Sequence, residues 1–282
     1  MPASKRPDIV GNIRLDQTWG GAQIMAALHE VNPLYYDGLA AGAEASGHPS
    51  DTWGWVVAAG LRLNFPMIAP GDWFQAEINY TQGATRYLDY NESTNWVAAT
   101  KNVATFGILS DCVMGGSVAG GAAVPATLAT GCNLTTAWTV NASFDHYWTP
   151  AVHQSIVGAY EAVSYNSQAN AILCTAENAA GNVQAIGGVG TAAIAAPGCN
   201  NNWSMWGMSS RLQWDVTKSF YVAVELVYQH MNSASSATGL LPNPINAQFT
   251  GLGGPTNGTV TVGGAAENAW EASWRIHKDF LP

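Results

Sequence analysis

Between Trp203 and Met231 polarity alternates residue by residue along two stretches, separated by a break at Thr217-Lys218-Ser219. In the first, Trp206, Met208, Leu212, Trp214 and Val216 fall on one face and Met205, Ser209, Arg211, Gln213 and Asp215 on the other. In the second, Phe220, Val222, Val224, Leu226 and Tyr228 alternate with Tyr221, Ala223, Glu225, Val227 and Gln229. Successive side chains of a strand point to opposite faces, so each stretch is a strand with one apolar and one mixed face. Strands of soluble domains usually run about five or six residues. About ten alternating residues, aromatic near both ends, are what a tilted strand needs to cross a bilayer.

The pattern recurs along the chain. Asp8–Gln17 sets Ile9, Ile13 and Leu15 against Asn12, Arg14 and Asp16, and Ala22–Asn32 sets Ile24, Ala26 and Leu28 against Gln23 and His29. The stretches Trp53–Phe65, Trp73–Gln82, Leu134–Tyr147, Val152–Tyr165 and Asn268–Phe280 alternate likewise. Short turns are expected near 18–21, 66–72, 148–151 and 217–219. Long Gly/Ala/Asn-rich segments fall near 33–52, 83–133, 166–202 and 232–267. Long structureless loops count against a compact soluble domain. Short turns on one side and long loops on the other are the habit of an outer-membrane barrel. The fold expected is therefore an all-β, antiparallel transmembrane β-barrel, with about nine strands present.

Charge placement agrees. The mixed face carries Arg14, Asp16, Arg62, Glu77, Glu161, Arg211, Asp215, Glu225, Glu271 and Arg275, which are expected to line a pore. On the apolar face the charges Glu30 and Lys278 sit only near strand ends. An Arg or Lys at mid-bilayer on the lipid side costs roughly 2–4 kcal/mol, so charge is excluded there. Aromatics of the apolar face, such as Trp55, Tyr80, Phe144, Trp206, Trp214 and Tyr228, gather towards strand ends as two interfacial girdles. A soluble sandwich alternates too, but has no reason for two aromatic belts.

Composition narrows the class further. Charged residues are 10% of the 282, against about 25% in typical soluble domains. Mean hydropathy is +0.02, yet no apolar run is long enough for a membrane helix. A net charge of −9 argues against a nucleic-acid partner, because that affinity comes from Lys and Arg meeting phosphates. The opening MPASKRPDIV lacks the apolar segment of an export signal. With an odd strand number that starts on the long-loop side, this suggests one membrane-barrel domain over 1–282, truncated at its N-terminus.

The four cysteines permit three connectivities. Cys112 and Cys132 lie in one long segment and Cys174 and Cys199 in another, so local bonds within each segment are the simplest choice. Bonds of that kind imply an oxidising compartment. The bland alternative is four small buried thiols.

No GxGxxG, P-loop, HExxH, GxSxG or CxxC occurs. His146 and His153 flank the turn at Pro150 without a third ligand nearby, so they suit a barrel rim better than a metal site. Nothing fixes Glu77, Glu161 or Glu225 as a catalytic pair. No enzyme activity, cofactor or metal is expected.

DIVGNIRLDQTWGGAQIMAALHEVN, GWVVAAGLRLNFPMIAPGDWFQAEINYTQGATRYL, WTPAVHQSIVGAYEAVSYN and the closing AWEASWRIHKDF resemble the C-terminal half of alphaproteobacterial outer-membrane porins. The resemblance covers nearly all the strands, while the long loops match only in character. It implies the general-diffusion type, sixteen-stranded and trimeric, in the outer membrane. It departs from that pattern in lacking an export signal and in ending Phe280-Leu281-Pro282 rather than on an aromatic residue. The function expected is passive diffusion of small hydrophilic solutes and ions through a water-filled barrel, with outer-membrane lipid around it. Two alternatives from other classes are a surface binding module with disulfide-clipped loops and, more weakly, an outer-membrane enzyme.

One register follows from parity. Facing residues of an antiparallel pair share a face, so a three-residue turn at Thr217-Lys218-Ser219 would set Val216 against Phe220 and Arg211 against Glu225 as an ion pair. A five-residue loop would keep the same parity from Asp215 and Tyr221 onward.

Overall fold

The computed structural model describes residues 5–36, 47–88, 96–100, 103–107, 109–115, 130–178, 200–232, 234, 239–241, 260–262 and 266–280. Along the chain come β1 (Ile9–Gln17), β2 (Gly20–Val31), β3 (Thr52–Asn64), β4 (Trp73–Gln82), β5 (Trp96–Thr100), β6 (Val103–Gly107), β7 (Cys112–Val113) and β8 (Asn133–Leu134). They are followed by β9 (Thr136–Thr149), β10 (Val152–Ser164), α1 (Ser167–Asn178), β11 (Trp203–Thr217), β12 (Phe220–Asn232), β13 (Gly239–Leu241), β14 (Val260–Val262) and β15 (Glu267–Lys278).

One nine-stranded sheet dominates, in the order β1-β2-β3-β4-β9-β10-β11-β12-β15. Every neighbouring pair in it is antiparallel. Each long alternating stretch of the sequence became one of these strands, with ends shifted by a residue or two. Because nine is odd, β1 and β15 run in the same direction, and they stand at the two ends of the order. Both are exposed along almost their whole length.

Short connections join strands at one end of the sheet. Gln17 pairs with Gly20, Thr149 with Val152 and Thr217 with Phe220, leaving two-residue turns. The long connections lie at the other end and are not structureless. They hold a four-stranded sheet, β13-β14-β6-β5, the ribbon β7-β8 and the helix α1. Asn166 caps α1, its Oδ1 accepting the Ala169 N–H at 2.7 Å. Asn170 then joins the helix to both sides, donating to the Tyr165 carbonyl at 3.0 Å and accepting the Asn201 N–H at 2.7 Å.

The ribbon β7-β8 is closed by the bond Cys112–Cys132, with Cα atoms 5.5 Å apart, as expected. Cys174 is also disulfide-bonded, and Cys199 lies outside the described residues.

Burial in the main sheet is the reverse of a soluble protein's. The apolar face points into the surroundings: Ile24 is 67% exposed, Met208 54%, Leu226 60% and Trp274 73%. The mixed face holds the buried side chains, among them Ala58, Asn79, Thr139, Glu161 and Met205. At the long-connection end this face is covered outright. Leu88, Leu109, Val113, Tyr165, Ile172 and Ala234 from the connections form one buried apolar cluster with Ala137, Val163, Trp203 and Met205 of the sheet.

One close approach explains a glycine. Gly54 of β3 lies against the Gly83 carbonyl, where a Cβ has no room, and Gly83 itself has φ +72°. Both are needed where β4 leaves the sheet for the long connection.

Candidate functional site

The mixed face of β1–β4 and β9–β12 is the candidate site. Pairing registers lay it out in lateral rows. One row runs Arg14, Gln23, Gly60, Glu77, Asn141, Ala159, Gly207, Gln229, Ala269. The next runs Asp16, Gly21, Arg62, Gln75, Ser143, Val157, Ser209, Val227, Glu271. The following one joins Asp145, Ser155, Arg211, Glu225 and Ser273. These rows hold seven of the ten charged residues expected on one face, and the same registers put Glu161, Asp215 and Arg275 on it opposite Met205, Tyr221 and Ala223.

Over β1–β4 the face opens into a depression of about 530 Å³. Gly21 and Gly60 occupy row positions without side chains, and Arg14, Asp16, Arg62 and Glu77 ring the space they leave. The charges alternate in sign. Arg14 is paired with Asp16 at 2.9 Å, both largely exposed. Arg62 lies with its guanidinium 4.9 Å from the Trp73 ring centroid, a cation–π contact that holds it along the wall. Glu77 accepts from the Asn79 amide at 3.1 Å.

Towards the short turns a second polar string crosses the sheet. Arg211 donates to Gln213 at 2.7 Å and Gln213 donates to Asp215 at 2.7 Å. Arg211 also stands 5.5 Å from the Tyr221 ring. Asp145 receives Ser155 at 2.8 Å and His153 at 2.9 Å. Glu161 is buried on β10, at the edge of the loop-covered region. Glu271 sits opposite Val227 on exposed β15.

Arg211 and Glu225 are direct cross-strand partners on one face, as parity requires. Two details differ. The turn is Lys218-Ser219, with Thr217 rather than Val216 facing Phe220, and a register shift between Asp215 and Thr217 restores parity. The ion pair itself does not form among the described residues, because Arg211 is turned to Gln213 and Tyr221.

His146 and His153 are not brought together as ligands. His146 Nδ1 lies 2.7 Å from Asp72, and His153 stacks on Tyr147 at 4.8 Å. Asp72 is buried in the connection from β3 to β4. Burial pushes its carboxyl up, but the Tyr147 N–H at 2.8 Å and His146 outweigh it and hold the acid below its ordinary range.

The apolar face carries two aromatic belts. At the long-connection end Trp55 meets Tyr80, Trp138 meets Tyr160, and Trp206 and Trp270 flank Tyr228, all with centroids within 5.6 Å. At the other end Phe65 and His146 adjoin Phe144, and Trp148 adjoins His146. From Trp206 to Trp214 the strand spans about 26 Å, or about 20 Å of height at a tilt of ~40°. That is close to the ~25 Å apolar band of membrane barrels.

Sequence reasoning missed the loop-derived cover over Val163, Trp203 and Met205. The signal was present: at these strand ends the mixed-face positions Val163, Trp203 and Met205 turn apolar, while Ser164 and Ser204 fall on the other face.

A family model described as a porin subfamily matches residues 2–252. Among solved structures the chain is similar to the outer membrane channel DcaP of Acinetobacter baumannii, with TM-score 0.52 and 10% identity. The alignment covers 97% of this chain and 52% of that one, so the chain spans about half the length of the channel. At that identity the likeness bears on the fold alone. No curated protein matches.

Proposed function

Since the chain belongs to the porin subfamily, we propose that it forms, as a single domain over 1–282, the wall of a water-filled outer-membrane channel for passive diffusion of small hydrophilic solutes and ions. The observation that carries this is the inverted burial. A sheet whose apolar face is exposed between two aromatic belts, and whose charged face is the inner one, suits lipid outside and water inside.

The paired signs around the depression on β1–β4 favour a path that tolerates either ion over one that selects strongly. Loop cover at the β9–β11 end supports a route along β1–β4 in this reading. Lipid contact along the apolar face and a homotrimeric assembly belong to the same reading, and no catalytic role is assigned to any residue.

The test is incorporation of the purified protein into planar lipid bilayers. Stepwise conductance in simple salt is expected, together with solubility that depends on detergent. Monodisperse protein without detergent, or folded membrane protein with no conductance steps, would sink the reading.

A further inference from the structure

At the long-connection end of β2, away from the depression, His29 is buried on the mixed face with 7% of its side chain exposed. Its Nδ1 lies 2.7 Å from Asp8 Oδ1 and its Nε2 3.4 Å from Asp111 Oδ2. Asp8 immediately precedes β1. Asp111 belongs to the long connection between β4 and β9, beside the disulfide-bonded Cys112.

Both carboxylates are themselves held. Asp111 Oδ1 accepts the Thr85 N–H at 2.7 Å and the Thr85 hydroxyl at 2.8 Å. Asp8 Oδ2 accepts the Tyr87 hydroxyl at 2.7 Å, and Arg86 approaches it at 3.6 Å. Across the sheet His29 faces Gly54, which offers no side chain, and the neighbouring Glu30 points to the other face and pairs with Arg6 at 3.1 Å.

A neutral imidazole has one N–H and one bare lone pair, so it can serve only one of two carboxylates. The imidazolium donates to both. Whichever proton leaves, the arrangement keeps the shorter bond: the N–H remains at Nδ1 towards Asp8, and the longer Asp111 contact is lost. We propose that Asp8, His29 and Asp111 form a proton-operated latch, which fastens the long β4–β9 connection to the β1–β2 wall while His29 is charged and releases it at Asp111 as pH rises. The same connection supplies Leu88, Leu109 and Val113 to the cluster that covers the mixed face at this end, so the latch governs how firmly that cover is seated. The inference goes beyond the channel reading and does not depend on conductance.

Hydrogen exchange of the protein folded in detergent micelles tests it, read as protection factors for 109–115 from about pH 5 to about pH 10, the span that brackets histidine's titration. In the wild type, protection there should fall severalfold as pH rises across the titration, because only the charged imidazole can donate to Asp111 as well as Asp8. In His29→Gln it should be low and flat. Should His29→Gln fail to fold, Asp111→Asn keeps an acceptor for Thr85 and removes only the charge facing Nε2, so its protection should be lower at acid pH and its pH response shallower. A pH-independent wild type, or either variant keeping the wild-type pH response, overturns the latch.

Discussion

Val224 sits four residues from both Phe220 and Tyr228, midway between the aromatic belts, on the apolar face of β12. Its cross-strand partners are Leu212 and Trp274, and it is 53% exposed. If that face met water, Val224→Arg would change stability by less than about 0.5 kcal/mol, as surface substitutions do. If it meets hydrocarbon at mid-depth, the charge costs about 2–4 kcal/mol, or about thirtyfold to about a thousandfold in the folding equilibrium. Ser273→Arg is the matched control: it lies at similar depth on the mixed face, opposite Glu225, and should stay within about 0.5 kcal/mol. Urea titration of protein inserted in lipid vesicles, followed by tryptophan fluorescence, reads both. A neutral Val224→Arg, or a Ser273→Arg as costly as Val224→Arg, would refute the assignment of the two faces.

Cys132→Ser opens a loop with sequence separation 20 and should cost about 3 kcal/mol in the chain-entropy account; a reductant, which also opens the bond at Cys174, should lower the wild-type urea midpoint at least as far and shift the variant less. Gly54→Ala drives a Cβ into the Gly83 carbonyl and should cost about 1–3 kcal/mol, with a thermal midpoint equal to wild type as the contrary result. For Asp72 the folded acid is depressed below its ordinary 3.8, so its stabilisation is fully present above that value and is lost as pH falls through the depressed one. Asp72→Asn should therefore be less stable than wild type at neutral pH and converge on it in acid, and a gap that stays constant with pH would exclude this linkage.

Alternation carried most of the fold, because its parity is a physical constraint on every residue of a long strand. It located nine strands and both faces, and it set Arg14, Arg62 and Glu77 on one face, where the structure shows a depression between them. It failed where the constraint lapses. In α1 the cues were an Asn cap and apolar Ala169, Ile172 and Leu173 at helical spacing, submerged in an Ala/Asn-rich segment. The Asp8–His29–Asp111 contact was illegible for another reason. It joins residues from a strand end, the start of the chain and a long connection, and only the folded loop brings Asp111 to His29.

Arg211 and Glu225 show where register ends and energetics begins. Parity fixes them opposite each other, whether the turn uses three residues or, as found, two residues and a bulge. Parity does not fix the rotamer of a long guanidinium. An exposed ion pair contributes only about 0–1 kcal/mol, while an amide acceptor on the same strand and a neighbouring phenol offer a hydrogen bond plus a cation–π contact of similar size. Arg211 takes the latter pair, and Gln213 passes the string on to Asp215. A double-mutant cycle between Arg211→Ala and Glu225→Ala should therefore give coupling within about 0.5 kcal/mol of zero, and a cycle of Arg211→Ala with Tyr221→Leu should exceed it. Strong Arg211–Glu225 coupling with none to Tyr221 would mean that the cross-strand carboxylate, and not the aromatic ring, sets the guanidinium on the wall.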